Sequence, residues 1–126
     1  MKNIKFYICP ICGNVIELID GDISHMMCCG RNMEELVANT EDASVEKHVP
    51  IYEIKDDKII VKVGEIAHPM EDVHYIMWVA QVVNNRIIRV NLKPVDTPEA
   101  IFPYVDNSVI YAYCNLHGLW KNEIKK

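Results

Sequence analysis

Four cysteines in the first thirty residues, Cys9, Cys12, Cys28 and Cys29, constrain this chain more than any other feature. Residues 1–37 are too few to hold a core together without a disulfide, a metal or a partner. The chain has five cysteines, an odd number, and Met1–Tyr7 runs straight into Cys9-Pro10 rather than into the apolar stretch of an export signal. Both points fit a disulfide framework badly and metal ligation well. Cys9-Pro10-Ile11-Cys12-Gly13 reads as a knuckle, two residues between thiolates letting a tight turn aim both sulfurs at one ion. Cys28 and Cys29 are adjacent, and neighbours on an extended chain point to opposite faces. They reach one ion only if the chain kinks there, which Gly30 permits. Zinc and iron both accept tetrahedral thiolate, and the spacing does not choose between them. His25 lies between the two pairs, but four thiolates complete the shell, so it reads as a solvated loop residue.

The remainder should be mostly β. The 126 residues include 17 Ile and 14 Val against 5 Leu, and β-branched side chains suit pleated sheet. Within the cysteine-rich module, Phe6–Ile8 is expected as a short strand. Val15–Ile19 and Ile23–Met27 are expected to form a hairpin across Asp20-Gly21-Asp22. Ala38–Ser44 is polar and reads as a linker. Beyond it, Ile51–Lys55 and Lys58–Val63 should pair across Asp56-Asp57, and Tyr75–Val83 and Arg86–Leu92 across Asn84-Asn85. Ala100–Val105 and Val109–Cys114 follow, and Pro94 and Pro98 bracket a loop. Six or seven strands in about 80 residues predict an antiparallel sandwich. The expected organisation is a metal-binding module over 1–37 and a β-sandwich over 38–126, all-β throughout.

Charge and hydropathy exclude other classes. A net charge of −5, from 13 basic and 18 acidic residues, is the wrong sign for a nucleic-acid binder. No apolar run approaches the roughly 20 residues that span a bilayer. The expectation is a soluble, cytoplasmic protein.

A second cluster of ligand-type residues lies in the expected sandwich. Cys114-Asn115-Leu116-His117 follows a β run, His68 and His74 share a loop, and His48 stands where the linker enters. Each alone reads as an ordinary surface or core residue; four imidazoles and a thiol at loop positions of one small domain read as a metal site. Imidazole with thiolate suits iron, copper or zinc. A blue-copper electron carrier would need two histidines and a weak axial ligand, usually Met, just after the last His, and Gly118-Leu119-Trp120-Lys121 offers none. Five ligands are too many for tetrahedral zinc. A five-coordinate iron keeps one open position for a small ligand. Oxygenase chemistry usually wants two histidines, a carboxylate and several open positions, which this nearly full shell lacks. A non-enzymatic electron carrier or a metal-stapled interaction module stays open as the alternative.

These residues together resemble the superoxide reductases, specifically the two-iron desulfoferrodoxin type, over essentially the whole chain. The resemblance is carried by Cys9-x-x-Cys12-Gly13 with Cys28-Cys29-Gly30, and by Glu46-Lys47-His48-Val49-Pro50. It is carried equally by His68-Pro69-Met70-Glu71 with His74, and by Cys114-Asn115-Leu116-His117-Gly118 with Trp120. Leu119 departs from the pattern, since many members have a second histidine there, but it is not at a ligand position. The resemblance implies a desulforedoxin-like module with a rubredoxin-type iron on Cys9, Cys12, Cys28 and Cys29, a site where zinc can substitute. It implies an immunoglobulin-like sandwich with a non-haem iron held by His48, His68, His74 and His117, and by Cys114 opposite the open position. The implied reaction is one-electron reduction of superoxide to hydrogen peroxide, in a homodimer fed by rubredoxin or a similar small electron-donor protein. Lys47 is expected to attract the anion and support protonation. Glu46 is expected either to ligate ferric iron after product leaves or to be a plain surface carboxylate.

Overall fold

The computed structural model describes residues 4–41, 43–84 and 86–125; Met1–Asn3 of the expected N-terminus, Asp42 of the expected linker, Asn85 of the expected turn and Lys126 lie outside the described residues. The chain divides into two compact units, Met1–Val37 and Ala38–Lys126. Among the described residues no helix is long and apolar enough to cross a membrane.

In the first unit, β1 (Lys5–Ile8) is the middle strand of three, flanked by β2 (Val15–Leu18) and β5 (Glu34–Leu36). The knuckle closes the β1–β2 hairpin, with Cys9 N–H donating to Asn14 O at 2.9 Å and Gly13 N–H to Cys9 O at 3.0 Å. Tyr7, Cys9 and Met33 form a small core with Ile16, Leu18 and Ile23 against them. The expected hairpin across Asp20-Gly21-Asp22 does not form. Val15–Leu18 pairs back onto β1 instead, and the two aspartates turn their carboxylates on the local backbone. Asp20 Oδ1 accepts from Gly21 N–H and Asp22 Oδ1 from Ser24 N–H, both at 2.9 Å. This local competition is why Asp favours turns of several kinds. Of Ile23–Met27 only Met27 is extended, in β3 (Met27–Cys28), which pairs with β4 (Arg31–Asn32). The turn between them is Cys29-Gly30, with φ of 53° and 76°. Two consecutive left-handed residues make the kink that adjacent cysteines require.

The second unit is a seven-stranded immunoglobulin-like sandwich. One sheet has the order β10 (Glu99–Pro103), β7 (Lys58–Val63), β6 (Pro50–Lys55); the other has β12 (Gly118–Glu123), β11 (Val109–Cys114), β8 (Ile76–Val83), β9 (Arg86–Asn91). All pairings are antiparallel. Asp56 and Asp57, with φ of 52° and 64°, close the β6–β7 hairpin as a two-residue turn whose twist matches the strands. Alternation places Ile59, Val61, Val63, Phe102, Ile110 and Ala112 in the core between the sheets. Consecutive strands β10 and β11 belong to different sheets, and buried Gln81 on β8 reaches across, donating to Pro103 O at 2.8 Å and to Ser108 Oγ at 3.3 Å.

A single helical turn, α1 (Val45–His48), precedes β6. It is held by the segment after β7: Gly64 N–H donates to Val49 O at 3.2 Å and Ile66 N–H to Glu46 O at 3.1 Å. Gly64 has φ of +84°, and a Cβ there would stand 2.5 Å from the Lys47 carbonyl oxygen and 2.6 Å from that of Ile66. Both neighbours are backbone and cannot step aside alone. Gly64→Ala should therefore combine left-handed strain with a steric clash, a cost of about 2 kcal/mol or more. Calorimetry of the metal-loaded protein should show the sandwich melting at least about 5 °C lower; an unchanged midpoint would mean that the loop has room to spare.

Candidate metal centres

The cysteine cluster is assembled from the β1–β2 knuckle and the β3–β4 turn. The sulfurs of Cys9, Cys12, Cys28 and Cys29 all lie within 4.8 Å of one another. Cys12 Sγ stands 3.6 Å from Cys28 Sγ, and Cys28 Sγ 3.9 Å from Cys29 Sγ. Four thiolates bonded tetrahedrally at roughly 2.3 Å put their sulfurs about 3.8 Å apart, so these spacings suit a shared ion and are far too long for disulfides, whose sulfurs stand at about 2.05 Å. The Cys12 N–H points at Cys9 Sγ at 3.5 Å and is the main reason the Cys9 thiol is lowered to about 6. Crowding does the reverse for Cys28, pushed up to about 12 first by Cys9 and then by Cys12. The first thiolate forms readily and the later ones are opposed by it; a cation lets all four be thiolates at once. Cys9 is buried while Cys12 and Cys29 are exposed. His25 is exposed and outside the cluster.

The second cluster gathers one ligand atom each from His48, His68, His74, Cys114 and His117, again all within 4.8 Å. The elements that bring them together are α1 for His48, the β7–β8 connection for His68 and His74, and the β11–β12 turn for Cys114 and His117. The imidazoles form a square. Neighbouring ring centroids are 4.6, 4.7, 5.0 and 4.9 Å apart in the order His48–His68–His74–His117, each pair between 75° and 87° of interplanar angle. Across the square His48 and His74 are 6.5 Å apart and tilted by only 28°. Equal sides, perpendicular neighbours and near-parallel opposites are the signature of four rings facing one centre.

Hydrogen bonds on the outer nitrogens aim the inner ones. His48 Nδ1 donates to Ser44 O at 2.6 Å and His68 Nδ1 to Pro69 O at 2.7 Å. Each leaves a lone pair on Nε2, yet those two Nε2 atoms stand 3.1 Å apart, and His48 Nε2 is also 3.1 Å from His117 Nδ1. Two nitrogens at right angles and about 2.1 Å from a common ion are about 3.0 Å apart. For the His48–His68 pair protonation does not account for the approach, because both Nδ1 atoms are already the donors and burial lowers His48 and brings His68 down to about 4. His74 Nε2 is buried with no hydrogen-bond partner. Converging lone pairs and an orphaned nitrogen are what a cation resolves.

Cys114, fully buried, closes the inner side, its sulfur 4.0 Å from His117 Nδ1. Burial pushes its thiol up, while the N–H groups of Leu116 and His117 pull it down. The strand pairing is irregular here: Tyr113 opposes Trp78 but Cys114 opposes Ile76, so Met77 is an extra residue on β8. Trp120, 1% exposed, lies against His48 with centroids 4.9 Å apart, and its Nε1 donates to His117 O at 3.0 Å. Leu119 is buried outside the ligand cluster. Glu46 and Lys47 are exposed on α1. No carboxylate joins the cluster among the described residues, so Glu46 is not brought to it. The Lys47 charge, by contrast, is felt at His48 and His74, adding to burial in lowering both. Sequence reasoning did not single out Ser44, Pro69 or Gly64: two of them act through carbonyls every residue carries, and the third through the absence of a side chain.

The chain matches the family model described as desulfoferrodoxin over residues 40–123 and that of the desulfoferrodoxin N-terminal domain over residues 2–36. It is 46% identical to a desulfoferrodoxin of Syntrophotalea carbinolica, over 97% of this chain and 98% of that one. It is 36% identical to a superoxide reductase of Pyrococcus horikoshii, over 64% of this chain and 87% of that one. The crystal structure of the superoxide reductase from Treponema pallidum superposes with a TM-score of 0.74 at 30% identity, covering 96% of this chain and 99% of that one. With both of its parts matched and both ligand clusters formed, the chain belongs to the desulfoferrodoxin family.

Proposed function

We infer that this protein is a superoxide reductase with two iron centres, Cys9-Cys12-Cys28-Cys29 holding one and His48-His68-His74-His117-Cys114 the other. The observation that carries the reading is the square of neutral imidazoles with a thiol buried on one side. An iron held by these five residues would keep room for one small molecule. Ferrous iron held by these residues would supply one electron, with which superoxide and two protons would become hydrogen peroxide without release of dioxygen.

The chain's own residues do the rest. Neutral imidazoles add no negative charge to the centre, which keeps it attractive to an anion. Cys114 contributes electron density from the buried side. We assign Lys47 to draw superoxide in, since its position on α1 makes its charge felt at two of the four histidines, and local potential governs the last approach despite a net charge of −5. Its three N–H donors also suit it to hold a water that delivers a proton. Glu46, one residue earlier on the same exposed turn, stands outside the ligand cluster; it would either serve as a further ligand to ferric iron or remain a surface carboxylate. The reading extends to a cytoplasmic homodimer supplied by a small electron-transfer protein such as rubredoxin. That none of the five cysteines is paired in a disulfide supports a reducing compartment.

Three measurements test these assignments. Replacing Cys114 by Ser should abolish both the sulfur-to-iron colour of the oxidised second centre and its reaction with superoxide; a variant keeping both would show that the thiol is not bound there. Cys12→Ser should disturb the first metal yet leave superoxide oxidation of the second iron largely intact, which stopped-flow mixing would read directly. Loss of that oxidation with the second centre fully loaded would make the two centres one catalytic unit. For Lys47→Ile the second-order rate should fall at least about tenfold, roughly 1.4 kcal/mol in the barrier, and its dependence on ionic strength should weaken. An unchanged rate at full iron loading would remove Lys47 from the reaction.

A further inference from the structure

His48 and His68 are each aimed by a hydrogen bond from their own Nδ1; His74 is held differently. It lies on the connection just before β8, beyond the last paired residues of the β8–β11 ladder, Cys114 and Ile76. One step past that pair stands Asn115. Its main-chain N–H donates to Tyr75 O at 3.2 Å. Its side chain then does what a further peptide group would do: Oδ1 accepts from Tyr75 N–H at 3.0 Å, and Nδ2 donates to Val73 O at 3.1 Å. The two residues gripped by the carboxamide are the ones on either side of His74.

We propose that Asn115 is a positioning residue that holds His74 in the ligand square by clamping the peptide groups flanking it, and so fixes the spacing of the His74 loop from Cys114 and His117. Only an amide serves. It offers a donor and an acceptor in one plane, whereas a carboxylate lacks the donor and an aliphatic chain lacks both. The bulge at Met77 makes the clamp possible, because the extra residue on β8 slides Val73–Tyr75 level with Asn115. From the other side Glu71 and His74 exchange two backbone hydrogen bonds, at 2.9 and 3.0 Å, which close the loop but tie it only to itself. Asn115 thus ties Val73–Tyr75 to the chain segment that bears Cys114 and His117. The clamp deepens the reading of the same metal centre but concerns how the ligands are held rather than what the iron reduces, so the two fail separately.

The experiment uses the full chain with both centres loaded, as Asn115→Leu and Asn115→Asp beside His74→Ala. Asn115→Asp is isosteric, keeps the acceptor for Tyr75 N–H and replaces the donor to Val73 O by a charged acceptor, which opens that half of the clamp, so it carries the test if Asn115→Leu does not fold. Two readouts are taken: the affinity of the second centre for ferrous iron, by competition with a chelator, and the number of imidazole nitrogens coupled to that centre, by electron–nuclear hyperfine spectroscopy. The cysteine-bound metal of the same molecules is the internal control for folding. Affinity should fall about 10–100-fold, the usual cost of removing an outer partner of a ligand. The nitrogen count should drop from four towards the value of His74→Ala, with Asn115→Asp intermediate. Four coupled nitrogens with wild-type affinity in either folded variant would overturn the proposal. So would a variant that merely melts earlier with its four nitrogens intact, since that is what a structural residue does. If the affinity falls as expected but superoxide is not reduced even by the wild type, the clamp stands and the assigned reaction falls.

Discussion

Four nitrogen lone pairs aimed at one point are repulsive, and the rest of the sandwich is arranged around that repulsion. Protonation would relieve it, but burial lowers the pKa values of His48, His68 and His74 and so opposes that relief. What remains is a cavity whose energy is satisfied by a cation. Metal binding and the packing of this end of the sandwich are therefore linked: the ion stabilises the folded arrangement by whatever the lone pairs would otherwise cost.

Holding such a square takes more than four histidines. Trp120 lies on one ring, His48, and donates to the carbonyl of another ligand, His117, joining residues 69 positions apart in sequence. Carbonyls of Ser44 and Pro69 fix two tautomers. Gly64 lets the turn after β7 approach the turn that carries His48. Each device orients a ligand without touching the centre; Ser44, Pro69 and Gly64 belong to loops, where a sandwich best tolerates special geometry, and Trp120 to the start of β12.

Legibility from sequence follows how local each signal is. The thiol and imidazole clusters stand out because ligand chemistry restricts residue type, and the strands from Ile51 to Cys114 because the Ile and Val periodicity is strong. Asp56-Asp57 was readable as a turn because two adjacent aspartates tolerate left-handed φ, as both adopt here. Asp20-Gly21-Asp22 misled for the same chemical reason: the carboxylates satisfied the local backbone, and the strand before them found its partner upstream. Besides the two-residue strand Arg31–Asn32, two strands went unread. Glu34–Leu36 is only three residues long and exposed on two of them, and Gly118–Glu123 opens on a glycine and mixes Leu119 and Trp120 with Lys121 and Asn122. Both form because a neighbouring strand offers an edge, which is information held elsewhere in the chain.

The two centres also differ in charge, and the difference assigns them different work. A divalent ion among four thiolates leaves a net of minus two; the same ion with four neutral imidazoles and one thiolate leaves plus one. An anion such as superoxide is repelled by the first and drawn to the second before any side chain is considered. The first centre's sulfurs at Cys12 and Cys29 are exposed, so protection from the substrate there is electrostatic rather than steric. The second can be open on the side of half-buried His74 and His117 without losing its sulfur, because Cys114 is fully buried. A shell saturated by thiolate has no place for a further ligand, whereas a shell one ligand short would have room for one small molecule. Ligand type, more than fold, separates the two roles.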